Sequence, residues 1–157
     1  MMKRIAFGLL VAISTSQVFA QEVEVVKFAD LQKKMLNTEA SLTVFNFWAT
    51  WCGPCIKELP HFDALESENS DIKVYLVSID FQSELEKVKS FVAKKSLNSD
   101  VLFLDEKDPD DYMGKVSPEW TGAIPATLFV TDLGKTYFHE KAFTKEELEL
   151  TIKKYLN

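Results

Sequence analysis

Leu42–Trp48, LTVFNFW, is apolar at nearly every position, and three residues later the chain reads Cys52-Gly53-Pro54-Cys55. Beyond the cysteines, Ile56, Leu59, Phe62 and Leu65 recur at a spacing of three. An apolar run of strand length suits a central strand buried on both faces, and the spacing of three marks a helix, here expected to run to about Glu68. A buried strand must therefore turn sharply into a helix with a cysteine pair at the turn. That junction is chemically loaded: the free N–H groups and dipole of a helix N-terminus stabilise an anion, and a cysteine on the first turn has its thiol pKa drawn down from about 8.5 toward 7.

The rest of the chain supplies partners for that strand. Residues 22–27 form a short strand candidate, and residues 30–36 carry Leu31, Met35 and Leu36 at helical spacing. Residues 72–79, IKVYLVSI, are a second strong strand. Ser83 and Glu86 make a capping-box pair ahead of Leu85, Val88, Phe91 and Val92, which predicts a capped amphipathic helix. Residues 101–104 are a short strand, and residues 105–122 read as a long, acidic, irregular loop with room for one turn of helix. Ala126–Thr131 and residues 135–139 flank TDLGK, a hairpin with Gly134 at the turn. A second capping box, Thr144 with Glu147, opens a last helix whose buried stripe is Leu148, Ile152, Tyr155 and Leu156. This order predicts one mixed sheet with helices on both faces.

The first twenty residues bear on compartment. Lys3 and Arg4 precede an apolar stretch, residues 5–13, and Val18 and Ala20 fit a small-residue cleavage site, so residues 1–20 read as a signal peptide and residues 21–157 as one domain. The apolar stretch is shorter than the roughly 20 residues a membrane span requires, so stable membrane insertion after cleavage is not expected. Export would place the protein in the periplasm of a Gram-negative cell and outside the cell otherwise. Losing Lys3 and Arg4 takes the formal charge from -6 to -8, and Arg4 is the only arginine. A negative chain with no guanidinium fork is a poor match for phosphate, so nucleic acid is not an expected partner.

Cys52 and Cys55 are the only cysteines, and three readings compete. As a staple they close too short a loop to stabilise much. As a metal clip they lack ligands: a site needs about four, and only His61 and His139 could add to them, with His61 most of three helical turns away. No metal and no cofactor are expected, and His61 reads as a solvated helix residue. Thiol-disulfide exchange uses both, Cys52 as the attacking thiolate and Cys55 as the resolving thiol. Gly53 then lets a partner's backbone approach, and Pro54 pre-sets the helix start.

WATWCGPC, residues 48–55, resembles the active-site signature of the thioredoxin superfamily. Residues 45–62, FNFWATWCGPCIKELPHF, are similar in particular to the exported TlpA/ResA/CcmG-type branch, and Pro60 matches the proline that kinks the active-site helix there. GAIPATLFV, residues 122–130, resembles the segment that carries the family's cis-proline. The resemblance implies an α/β thioredoxin fold with Pro125 cis beside the cysteines. It also implies a ledge of Ile124 and Pro125 on which a substrate segment pairs as an added strand, with Trp51 flanking it and Trp48 in the core beneath. Where cytoplasmic thioredoxins hold a buried aspartate this chain has Asn46, which cannot exchange protons. That role is expected to fall to Asp80 or Glu84 if it is kept at all. Residues 107–120, ending in Trp120, are either a partner-selecting loop or an insertion whose tryptophan plugs the core, the second being preferred.

The implied activity is that of a protein-disulfide reductase, drawing electrons from a membrane thiol donor and acting as a monomer on protein disulfides. Apocytochrome c thiols, the substrate in cytochrome c maturation, are one implied target. An oxidase or isomerase would run the same chemistry in the other direction. A peptide-binding module with idle cysteines stands as the alternative of another class, and a thiol peroxidase would ordinarily place its cysteine in a different local pattern.

Overall fold

The computed structural model describes residues 22–156, so the expected signal peptide lies outside the described residues. Six strands form one sheet: β1 (Val23–Val26), β2 (Leu42–Trp48), β3 (Ile72–Ser78), β4 (Asp100–Leu104), β5 (Ala126–Thr131) and β6 (Thr136–His139). Their spatial order is β1-β4-β3-β2-β5-β6. The first four in that order run parallel, and β5 and β6 are antiparallel additions on the far side of β2.

The central position of β2 follows from its sequence, since every one of its residues is buried and only a strand covered on both faces can be apolar on both. Alternation along it sorts its side chains into two cores. Leu42, Val44 and Trp48 pack with Leu59 and Phe62 of α2 (Gly53–Asp63), Val88 and Val92 of α4 (Leu85–Lys95), and Leu148 and Ile152 of α6 (Lys145–Leu156). Phe45 and Phe47 face the other way, toward Phe28 and Leu31 of α1 (Phe28–Leu36) and Val116 of α5 (Met113–Val116). Asn46, even-numbered, therefore lies on the α2 side. The architecture is the expected thioredoxin fold, a mixed sheet with helices on both faces.

Two local expectations are corrected. The helix after the cysteines stops at Asp63, and α3 (Leu65–Glu68) follows as a separate turn. Pro60 inside α2 has no N–H to give the preceding turn, which weakens the helix shortly before the break. The Ser83–Glu86 capping box does not form. Gln82–Glu84 coil instead into a 3-10 turn, with the Glu84 N–H donating to the Phe81 carbonyl at 2.8 Å, so α4 starts from Glu84 with no side-chain cap. Residues 107–120 hold the one turn of helix allowed for them, α5, preceded by a 3-10 turn at Pro109–Asp111. Trp120 is buried there, its ring centroid 4.7 Å from that of Phe47, and its indole N–H donates to the Ala123 carbonyl at 2.9 Å.

Candidate active site

Cys52 and Cys55 sit where β2 hands over to α2, and they are joined as a disulfide with their Cα atoms 5.3 Å apart. Cys52 is the N-cap of α2, and its Sγ accepts the Cys55 N–H at 3.3 Å. Pro54 falls on the first turn, where its missing N–H leaves no bond unmade. Cys55 is fully buried and Cys52 nearly so, while Trp51, Gly53 and Pro54 around them are exposed.

The second wall of the site comes from the start of β5. The Ile124–Pro125 peptide bond is cis, and the Ile124 carbonyl lies 3.8 Å from Cys52 Sγ. Pro125 is buried and Ile124 half-buried. The structure thus brings Trp51, Cys52, Gly53, Pro54, Ile124 and Pro125 together around one sulfur. Trp48 lies beneath them in the core, packed against Phe91.

Neither carboxylate named from the sequence for proton handling bonds to the cysteines among the described residues. Asp80 is buried, and it accepts hydrogen bonds from the Thr50 N–H at 3.0 Å, the Thr50 hydroxyl at 2.5 Å and the Ser78 hydroxyl at 2.9 Å. Those bonds brace the turn that leads into Trp51 and Cys52. Glu84 pairs with Lys87 at 2.9 Å, out on the start of α4.

The buried carboxyl beneath the pair is instead Glu58. It lies three residues after Cys55 on α2, one turn along the same face, and is only 2% exposed. Asn46 Nδ2 donates to one of its oxygens at 2.8 Å and the Phe143 N–H to the other at 2.6 Å. Burial pushes its pKa up, the two hydrogen bonds pull it back only in part, and the net result is about 7. A carboxyl poised there can take or return a proton at neutral pH. A cavity of about 460 Å³ beside it is lined among others by Pro54, Glu58, His61 and Phe143.

Asn46 touches Glu58 directly. Its Nδ2 also donates to the Thr127 hydroxyl at 3.1 Å, and its Oδ1 is buried without a partner. A protonated Glu58 would need an acceptor for its O–H, and rotating the Asn46 amide supplies Oδ1. The signal was present in the sequence: Asn46 faces α2 by strand alternation, and Glu58 shares a helix face with Cys55. An isolated glutamate on an otherwise amphipathic helix reads as solvated, which is why it is missed.

The AhpC/TSA family matches residues 13–139 of the chain. The thioredoxin-like protein YneN of Bacillus subtilis is 26% identical over 121 residues, which is 75% of this chain and 67% of YneN. The thiol-disulfide oxidoreductase ResA of Bacillus thuringiensis is 34% identical over 112 residues, 69% of this chain, and the chain spans 60% of that ResA's length. Among solved structures, a thioredoxin-related protein from Neisseria meningitidis superposes with a TM-score of 0.65 at 18% identity, over 76% of this chain and 88% of its own. A DsbE-type thiol:disulfide interchange protein from Chlorobium tepidum gives 0.62 at 23%, over 81% and 85%. At these identities the structural likeness is one of fold. Sequence match and fold agree, and the chain belongs to the AhpC/TSA family, in its thioredoxin-like form.

Proposed function

We propose that the protein is a thiol-disulfide oxidoreductase that reduces protein disulfides outside the cytoplasm. The observation that carries this reading is a cysteine pair at a helix N-terminus with a buried carboxyl of pKa about 7 one turn behind it. ResA-type relatives bearing the name thiol-disulfide oxidoreductase support it.

In the reduced protein the Cys52 thiolate, stabilised by the Cys55 N–H and the α2 dipole, attacks one sulfur of a substrate disulfide. That S–S bond breaks, the first substrate thiolate leaves and takes a proton, and a mixed disulfide with Cys52 forms. Cys55 then gives its proton to Glu58 and attacks Cys52 Sγ. The second substrate thiolate leaves and takes up the proton, and the Cys52–Cys55 disulfide is restored. Two electrons have passed to the substrate. A thiol donor, on this reading a membrane carrier, returns them. Ile124 and Pro125 hold the substrate strand, with Trp51, Gly53 and Pro54 as the facing rim. The cysteine pair of an apocytochrome c, kept reduced for haem attachment, is a fitting substrate, supported only by analogy with the exported branch.

Direction is read from the reduction potential, measured by thiol trapping in defined dithiol buffers. A value of about -250 mV or lower agrees with a reductase, and one above about -180 mV makes the protein an oxidase or isomerase. Cys52→Ala separates catalysis from docking: it abolishes exchange in an enzyme and leaves a peptide-binding module at full strength.

A further inference from the structure

The loop before the cis-proline is held by a residue to which nothing so far gives a role. Glu140 follows β6 directly, and its carboxylate reaches back across to residues 121–123. It accepts the Thr121 hydroxyl at 2.7 Å, the Thr121 N–H at 3.2 Å and the Ala123 N–H at 2.7 Å. Burial raises its pKa, but the hydrogen bonds from Thr121, Ala123 and Gly122 outweigh it, so the group stays ionised. From the core side, the Trp120 indole N–H donates to the Ala123 carbonyl at 2.9 Å. Gly122 between them has a φ of 103°, which a side chain would resist.

Ala123 is therefore gripped at both ends of its hydrogen-bonding capacity, its N–H by Glu140 and its carbonyl by Trp120. The next carbonyl along is that of Ile124, facing Cys52 Sγ at 3.8 Å. A substrate that adds to this edge as a strand depends on the direction of the Ile124 peptide group, which residues 121–123 set. Thr121, Gly122 and Ala123 are themselves exposed, so no burial of their own side chains fixes the loop.

We propose that Glu140 is a positioning residue for protein substrates: an anchor outside the cysteine pair that aims the Ile124 edge and leaves the redox couple alone. This rests on the exchange activity proposed above. It predicts a division between substrates, because a small disulfide needs only the sulfur while a protein disulfide must also pair with the edge.

The experiment compares the parent with Glu140→Ala and Glu140→Gln, with dithiothreitol regenerating the reduced protein, on a reducible protein disulfide such as insulin and on the small disulfide oxidised glutathione. For Glu140→Ala the KM for insulin should rise about tenfold, the equivalent of about one main-chain hydrogen bond, with kcat nearly unchanged. Exchange with the small disulfide and the reduction potential should match the parent. Glu140→Gln keeps one carbonyl acceptor and should recover most of the loss. Equal slowing on both substrates, or a shifted potential, overturns the proposal by placing Glu140 in the couple or in general stability. No change on either substrate overturns it too, since the loop then keeps its aim unaided. A parent inert toward both substrates would instead strike at the oxidoreductase reading.

Discussion

On the proposed mechanism, Glu58 carries the proton of the resolving step. Its carboxyl titrates at about 7 in the folded chain against an ordinary value of 4.5, so between those values the folded protein keeps a proton that the unfolded chain gives up. Stability from this group is accordingly undiminished below about 4.5, falls as pH rises toward 7 and stays low above it. The penalty at high pH is on the order of 3 kcal/mol. Glu58→Gln carries no such proton. Urea unfolding of the oxidised variant should therefore lose less stability than the parent between about pH 5 and about pH 8, by roughly that amount. Parallel pH dependences would mean that Glu58 titrates as an ordinary carboxyl. The same variant should slow resolution of the Cys52 mixed disulfide by about a hundredfold near neutral pH, read by quenched-flow trapping, while first attack by Cys52 changes little.

At the scale of elements, two helix starts with the same sequence signature behave differently. At α6 the Glu147 N–H donates to the Thr144 hydroxyl at 3.2 Å and the Thr144 N–H to the Glu147 carboxylate at 3.0 Å, a complete capping box. At α4 the preceding turn has taken Ser83 into a 3-10 coil, and Glu86 pairs with Lys89 instead. Thr144→Ala should cost about 1 kcal/mol in chemical unfolding, and Ser83→Ala less than about 0.5 kcal/mol. Equal costs would show that α4 is capped in solution after all. The Thr144 cap also matters to the site, because the neighbouring Phe143 N–H is the one that holds Glu58. Loosening the start of α6 should thus raise the Glu58 pKa further, visible as a shifted pH profile of exchange.

For the whole molecule, direction of electron flow becomes a question of relative stability. A reductant's disulfide is favoured by its own fold, so the oxidised protein should unfold at higher denaturant than the reduced one; in a strong oxidant the order reverses because the reduced form is the more stable. Guanidinium unfolding of both forms measures this without a substrate. A more stable reduced form would contradict the reductase assignment. The short loop closed by the pair adds little chain entropy of its own, so the difference reports the environment of the sulfurs.

Much was legible from local pattern alone. The buried run at β2, the alternating strands and helices, the Gly134 turn, the Thr144 cap and the placing of Cys52 and Cys55 at the strand-to-helix turn follow from spacing and turn chemistry. Each depends on residues within a few positions of one another, and periodicity records such relations directly. What only the tertiary structure decided are the contacts between distant segments. Asn46 of β2, Glu58 of α2, Thr127 of β5 and the Phe143 N–H meet in the core, and Asp80 turned out to brace Thr50. Glu140 reaches back to the loop before the cis-proline in the same way. A glutamate looks the same in sequence whether it ends in water or in the core, and only the packing of distant segments around Glu58 buries it against Asn46 and the Phe143 N–H.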